Sequence, residues 1–328
     1  ISNVPETVQV EEKEGMEKSM EKSVTFKNVK PKPEKVDKLY PQVFIQTAGY
    51  EQEDDEASTR KKSGNDDESA ELVNSNAVQI ACIALYNTAN LSDKLLKFNV
   101  LDLPYLFQTD EDYYKFLDSE YGQAMLDEVL AATGNIWAHT NYVRSWQALT
   151  LNDKEVRVPA DLVGQTIITG APEVFVKTVQ AWGGNLGTVP FSESYTAMQQ
   201  GSIDGNLRAI NLAVTKKYFE VQKYVTLVNQ SAMTNATLIS KSWYDSLPDD
   251  LKAIFDEAIM EYQQIMRDYG VTRQEETIKQ LADEGMTIVE LTDAEKQEWI
   301  DASACVWDQM ESVIGKETID AAREILGR

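Results

Sequence analysis

The chain carries one histidine, His139, and two cysteines, Cys82 and Cys305, among its 328 residues. That inventory limits the chemistry. A zinc site needs further ligands at close spacing and a nucleophilic triad needs a hydroxyl or thiol partnered by histidine; neither is signalled around His139, for which a structural or rim position is expected. No phosphate loop, HExxH helix, nucleophile elbow or paired-cysteine motif is present. General acid–base work would fall to carboxylates, Tyr and Lys, and with 54 Asp and Glu a carboxylate pair carries no information. Two cysteines cannot build a disulfide framework, and each lies in an apolar segment, so both are expected as buried free thiols. No catalytic residue, no metal ligand and no cofactor is expected, and the chain is not expected to be an enzyme.

Binding chemistry is better signalled. Arg144 stands among apolar neighbours, Val143 and Trp146. An arginine so placed either snorkels to the surface or meets an anion that offsets its desolvation. The run AVQIACIAL, residues 77–85, is continuous and apolar, as in a strand buried on both faces of a parallel sheet. Ligands bind beyond the carboxyl ends of such strands, which makes Tyr86 and Asn87 candidates, with a plain turn as the alternative.

The elements that would hold these residues are an α/β set. Residues 112–132 are amphipathic and stop at Gly134, predicting one helix. Residues 136–148 predict a strand long enough to cross between two domains. The stretch from Val189 to Gly205, VPFSESYTAMQQGSIDG, predicts a short helix entered at Ser192, closed by Gly201 and followed by a strand. Residues 216–224 predict a helix, 224–229 and 233–240 two strands, and 284–290 a further strand. Pro248 opens a helix running beyond Leu281 with Gly270 inside it, unusually long for a globular protein. Asp293 to Leu326 predicts two helices. Glu11 to Lys22 suits a charged helix, 41–50 a strand, and 51–71 a solvated surface without an apolar face.

The Val189–Gly205 stretch resembles a segment of the solute-binding proteins of tripartite ATP-independent periplasmic (TRAP) transporters, the DctP-like group. LPYLF at 103–107, PADLVG at 159–164, YFEVQKY at 218–224 and SKSWYDSLP at 240–248 agree in the same order, so the resemblance spans residues 77–328. It implies a two-domain periplasmic-binding-protein fold with a central cleft, crossing strands and one long interdomain helix. Domain one would take 1–141 and 231–268 and domain two 142–230, with the helix at 249–282 and a C-terminal strand and helices at 283–328. It also implies that Arg144 lines the cleft and that Phe191 stacks on solute, a core aromatic being the alternative. Trp137, Asn141 and Asn211 complete the candidate set. The family's carboxylate-gripping arginine is replaced by Ile168, and Arg208 stands where the family has asparagine; the two changes are expected to be related.

A net charge of −23 disfavours binding to nucleic acid or to an anionic membrane, both of which need Lys and Arg. No apolar run approaches the roughly 20 residues of a membrane span. Nor does the chain open on a basic, then apolar, segment, so a secretory leader is expected to have been removed. The expectation is a monomeric periplasmic receptor that hands a small organic acid to a TRAP permease driven by an ion gradient. A binding protein of another transporter class, for a neutral or zwitterionic solute, is the alternative.

Overall fold

Sixteen consecutive residues, Ile136–Leu151, form a single strand, and the other described strands assemble along it. The computed structural model describes residues 45–47, 66–85, 93–170 and 172–328; Tyr86, Asn87 and the helix expected at 11–22 lie outside them, as do all but 45–47 of the strand expected at 41–50 and all but 66–71 of the solvated run expected at 51–71, where a helix starts at Asp66 and buries Ala70. The strands are β1 (Ile45–Thr47), β2 (Ile80–Ala84), β3 (Ile136–Leu151), β4 (Thr166–Thr169), β5 (Asn185–Leu186), β6 (Gly205–Ala209), β7 (Tyr224–Thr226), β8 (Ala232–Ser240) and β9 (Thr287–Val289). They run in the order β1-β2-β8-β3-β6-β4-β5, with β7 on β3 and β9 on β7. The α-helices are α1 (Asp66–Asn74), α2 (Asp110–Leu117), α3 (Glu120–Thr133), α4 (Glu173–Ala181), α5 (Ser194–Gln199), α6 (Asn211–Thr215), α7 (Lys241–Ser246), α8 (Asp249–Asp283), α9 (Asp293–Ile314) and α10 (Lys316–Leu326).

β3 serves two halves of this mixed sheet. Its first part, from Ile136 to Trp146, pairs antiparallel with β8, and β8 pairs with β2. Its last five residues pair with β6 on one edge, and the last three also pair with β7 on the other. Side chains follow the division: Ile136, Ala138, Val143 and Trp146 enter one apolar cluster, Leu149 and Leu151 a second, and Ala148 a third. A strand shared by three clusters is a mechanical link between them, and the segment from β7 to β8 crosses beside it.

Several boundaries differ from expectation for local reasons. The helix expected over 112–132 is two helices, because Ser119 caps α3 through Gly122 N–H at 3.1 Å. The corner is so tight that a Cβ on Gly122 would lie 2.2 Å from the Phe116 carbonyl. The helix expected over 216–224 is only the one-turn 3-10 segment Tyr218–Glu220, since Lys217 takes a left-handed conformation (φ 55°) that separates it from α6. Cys305 is exposed rather than buried, because the inward stripe of α9 is Trp299, Ser303, Val306, Met310 and Ile314. Cys82 is a buried free thiol. LPYLF is buried throughout, and Gly201 closes α5 at φ 68°. No described helix is long and apolar enough to cross a membrane.

Candidate functional site

The stretch after Val189 builds one wall. A single 3-10 turn, Phe191–Glu193, leads into α5. Ser194 Oγ donates to the Phe191 carbonyl at 2.7 Å and lies 2.6 Å from the Tyr218 hydroxyl, which ties the turn to the core beneath it. The Phe191 ring is left outside, 41% exposed. Over it stand two cations, Arg208 Cζ at 4.7 Å and Lys216 Nζ at 5.4 Å from the ring centroid. Arg208 Nη2 donates to the Thr169 carbonyl at 2.6 Å, so the guanidinium is fixed at the carboxyl end of β4. Its charge also acts to lower the Tyr218 phenol, against the larger upward effect of burial.

Register relates Arg208 to Ile168. β4 and β6 run parallel with Ile168 opposite Asn206. Strand side chains alternate, so Arg208 shares the face of Asn206 and Ile168, one pleat repeat closer to the carboxyl ends of the strands. Ile168 is itself buried among Met198, Ile203 and Ile210. An aliphatic residue there completes an apolar cluster, and the cationic group of that face lies on the neighbouring strand.

Arg144 occupies a different kind of place. The β3–β8 register slips between Val143 and Ser145 and again between Ala138 and Thr140, leaving Arg144 and His139 as the extra residues of two bulges. Bulges bend a strand and re-aim a side chain. The Arg144 charge acts to lower both the Cys82 thiol and the Tyr142 phenol. Burial nevertheless dominates at each, raising the thiol and pushing Tyr142 up to about 12. The next residue, Ser145, accepts a hydrogen bond from Asn211 N–H at 3.4 Å. Asn211 and Asn235 are buried with their side-chain oxygens making no hydrogen bond.

Arg208 therefore sits opposite Ala148 of β3 with Phe191 beneath it, Asn211 meets the same strand at Ser145, and Arg144 is the next residue along it. Trp137 does not join them. It stands seven residues before Arg144 along β3, stacked on His139 at 4.2 Å and edge-on to Tyr244 at 4.9 Å. Asn141 is already engaged, its oxygen accepting from Arg267 at 2.6 Å and its nitrogen donating to Asp118 at 3.3 Å. Sequence reasoning missed Lys216, Thr169, Asn235 and Tyr142, which gain their roles only through contacts between distant elements. His139 shows no metal partners: among the described residues no cluster of His, Cys, Asp or Glu could hold an ion.

Two lobes of α/β structure threaded by one shared strand, with a long helix along it and cationic groups at the junction, define a solute-receptor architecture. The chain matches the bacterial extracellular solute-binding proteins of family 7, the DctP family, over residues 59–313, and it belongs to that family. It is 28% identical over 259 residues to the C4-dicarboxylate-binding periplasmic protein DctP of Vibrio cholerae, covering 79% of this chain and 76% of that one. Its fold matches a TRAP periplasmic solute-binding protein of Shewanella oneidensis with bound succinate, at TM-score 0.70 and 26% identity over 78% of this chain and 83% of that one. It also matches the sugar acid binding protein DctPAm of Advenella mimigardefordensis in complex with galactonate, at TM-score 0.72 and 25% identity over 80% and 83% of the two chains. The protein is thus a DctP-like solute-binding protein of the TRAP type, with the two-domain periplasmic-binding-protein fold.

Proposed function

We propose that the protein captures a small organic acid at the junction of its two lobes, meeting the acid's negative charge with Arg144 from the β3 bulge and Arg208 from β6. The observation that carries this reading is the placement of Arg208. Its guanidinium is anchored to the Thr169 carbonyl, backed by the Phe191 ring and set on the face of Ile168, where an aliphatic side chain offers no donor. A guanidinium presents several N–H donors in a planar fork suited to a carboxylate, which no uncharged side chain replaces. Ala148 is the cross-strand partner of Arg208, and Arg144 lies four residues before it on β3, about 13 Å of strand. Two long side chains set so far apart can bracket a small acid. Asn211, between them, adds an acceptor for a hydroxyl or a protonated group.

The relatives named above support the ligand class, since succinate and galactonate are both carboxylates. Capture without turnover follows from the same constellation, which offers donors and an aromatic face but no nucleophile partnered by a base. A ligand that bridges both lobes favours the closed arrangement, and β3 with the β7–β8 crossing is the hinge about which closure would occur. The closed receptor, a monomer in the periplasm, would deliver the acid to the membrane permease of a TRAP transporter.

Thermal unfolding in the presence of succinate, galactonate, neutral sugars and amino acids tests the proposal. A ligand that binds only the folded form stabilises it by about 2.7 kcal/mol at a hundredfold excess over its Kd. An acid should raise the melting temperature and be recovered chemically unchanged. A neutral sugar that raises it while both acids leave it unmoved would overturn the reading.

A further inference from the structure

Helix α8 runs 35 residues yet has only three buried residues, Ile259, Thr277 and Leu281, so apolar burial alone does not explain how it lies along β3. Beside Tyr262, edge-on to Tyr142 at 6.2 Å, and Leu281, clustered with Ala148, much of what it presents to the strand is polar. Gln263 Oε1 accepts from Asn141 N–H at 2.9 Å, Arg267 Nε donates to the Asn141 carbonyl at 3.1 Å, and Gln274 Oε1 accepts from Trp146 N–H at 3.4 Å. Between them Gly270 comes so close that a Cβ there would lie 2.7 Å from the Val143 carbonyl. The spacing 263, 267, 270, 274 is one stripe of an α-helix. Tyr114 of α2 fills the remaining place, its hydroxyl accepting from Val143 N–H at 3.3 Å.

These groups act as a strand made of side chains. From Gln147 onward this edge of β3 is taken by β6, and Ile210 N–H reaches the Trp146 carbonyl at 2.9 Å. Before that point the backbone would be an open edge, which must be covered or paired. Asn141 and Val143 turn their N–H groups to this edge, and regular alternation would bring Ser145 next; instead it is Trp146, because Arg144 is inserted as a bulge. The side chains of α8 thus read the backbone on either side of the bulge. Arg267 is the strongest member. It forks onto Asp118 at 2.6 and 2.7 Å, also holds the Asn141 side-chain oxygen, and lies 4.1 Å over the Tyr114 ring.

We propose that Arg267, aided by Gln263 and Gln274, is a positioning clamp that holds the bulge of β3 and so fixes where Arg144 meets the ligand. The proposal rests on the reading of Arg144 as a ligand contact. Arg267 itself touches Asp118, Asn141 and Tyr114, none of which belongs to the cluster of Arg208, Phe191 and Asn211. Its effect on binding therefore passes through the bulge, chiefly through Arg144.

A double-mutant cycle separates this from a purely structural role. Titration calorimetry uses succinate or galactonate, whichever binds the unaltered protein more tightly, with Arg144→Ala, Arg267→Ala and the double variant. Arg267→Ala should weaken binding about tenfold in the parent and less than twofold once Arg144 is gone. Arg267→Lys, which keeps the charge without the planar fork, should lie between, and it serves if the alanine variant does not fold. Hydrogen exchange at Asn141, Val143 and Trp146 should speed up in the ligand-free Arg267 variant. Equal weakening in both backgrounds, or none in either, overturns the clamp while leaving the function intact. If Arg144→Ala alone leaves affinity unchanged, or neither acid binds, the reading of Arg144 falls and the clamp falls with it.

Discussion

Replacing Gly205 with alanine should damage both the fold and the site. Gly205 opens β6, pinned between Leu151 of β3 and Ile167 of β4. A Cβ there would lie 2.2 Å from the Thr150 carbonyl, 3.1 Å from Leu151 Cγ and 3.2 Å from Ile167 Cδ1. The first contact is with backbone and falls more than 1 Å inside ordinary contact, so no rotamer change relieves it. Either β6 moves away from β3 or β3 bends. Overpacking costs about 1–3 kcal/mol, and each ladder hydrogen bond loosened adds about 1 kcal/mol. Lower chain entropy in the unfolded state returns about 0.4–1 kcal/mol. The net expectation is a loss of about 3 kcal/mol, read as a urea midpoint lowered by about 1 M for an m-value near 3 kcal/mol/M. Acid affinity should fall as well, because Arg208 rides on the displaced strand. Gly134→Ala is the control: its φ of 82° is strained for alanine but nothing lies within 4 Å, so it should cost only about 1–2 kcal/mol. A Gly205→Ala protein whose midpoint matches the parent would refute the packing argument.

Two further outcomes follow from titratable groups. Burial holds His139 below the ordinary imidazole value, with Asp256 pulling the other way. The unfolded chain therefore takes up a proton near pH 6.5 that the folded protein takes up only at lower pH, so stability is whole above about pH 7.5 and falls as pH drops below it. His139→Asn should flatten the fall of the urea midpoint between pH 7.5 and 5.5; an unchanged slope would remove His139 as its cause. Cys305 is exposed, whereas Cys82 is buried with its thiol pushed up by burial. Iodoacetamide should label Cys305 alone in the native protein, as read by peptide mass, and prompt labelling of Cys82 would contradict the packing of β2.

The architecture was largely legible in the sequence. A crossing strand beginning at Ile136, a long helix after Pro248 and a glycine stop at Gly201 rest on periodicity and on residues with one dominant conformational use, and all three are present. The break at Ser119 was hidden because the apolar spacing continues across it. Trp137 and Asn141 share a strand with Arg144, but a strand places residues far apart along its length, and these two engage the aromatic stack and the α8 contacts. The α8 stripe was invisible to a search for apolar periodicity since its members are two glutamines, an arginine and a glycine. Lys216 over Phe191 joins residues 25 positions apart, and only folding brings them together.

The central claim is that Arg144 and Arg208 hold the ligand's charge. Titration calorimetry of the tighter-binding acid against Arg144→Ala and Arg208→Ala tests it most directly. An uncompensated carboxylate in a closed cleft is costly, and loss of either guanidinium should cost about 2–5 kcal/mol, a rise in Kd of roughly thirtyfold or more. Should both variants bind the acid within about threefold of the parent, a change under roughly 1 kcal/mol, the ligand's charge is not met by these arginines and the account of the site is wrong.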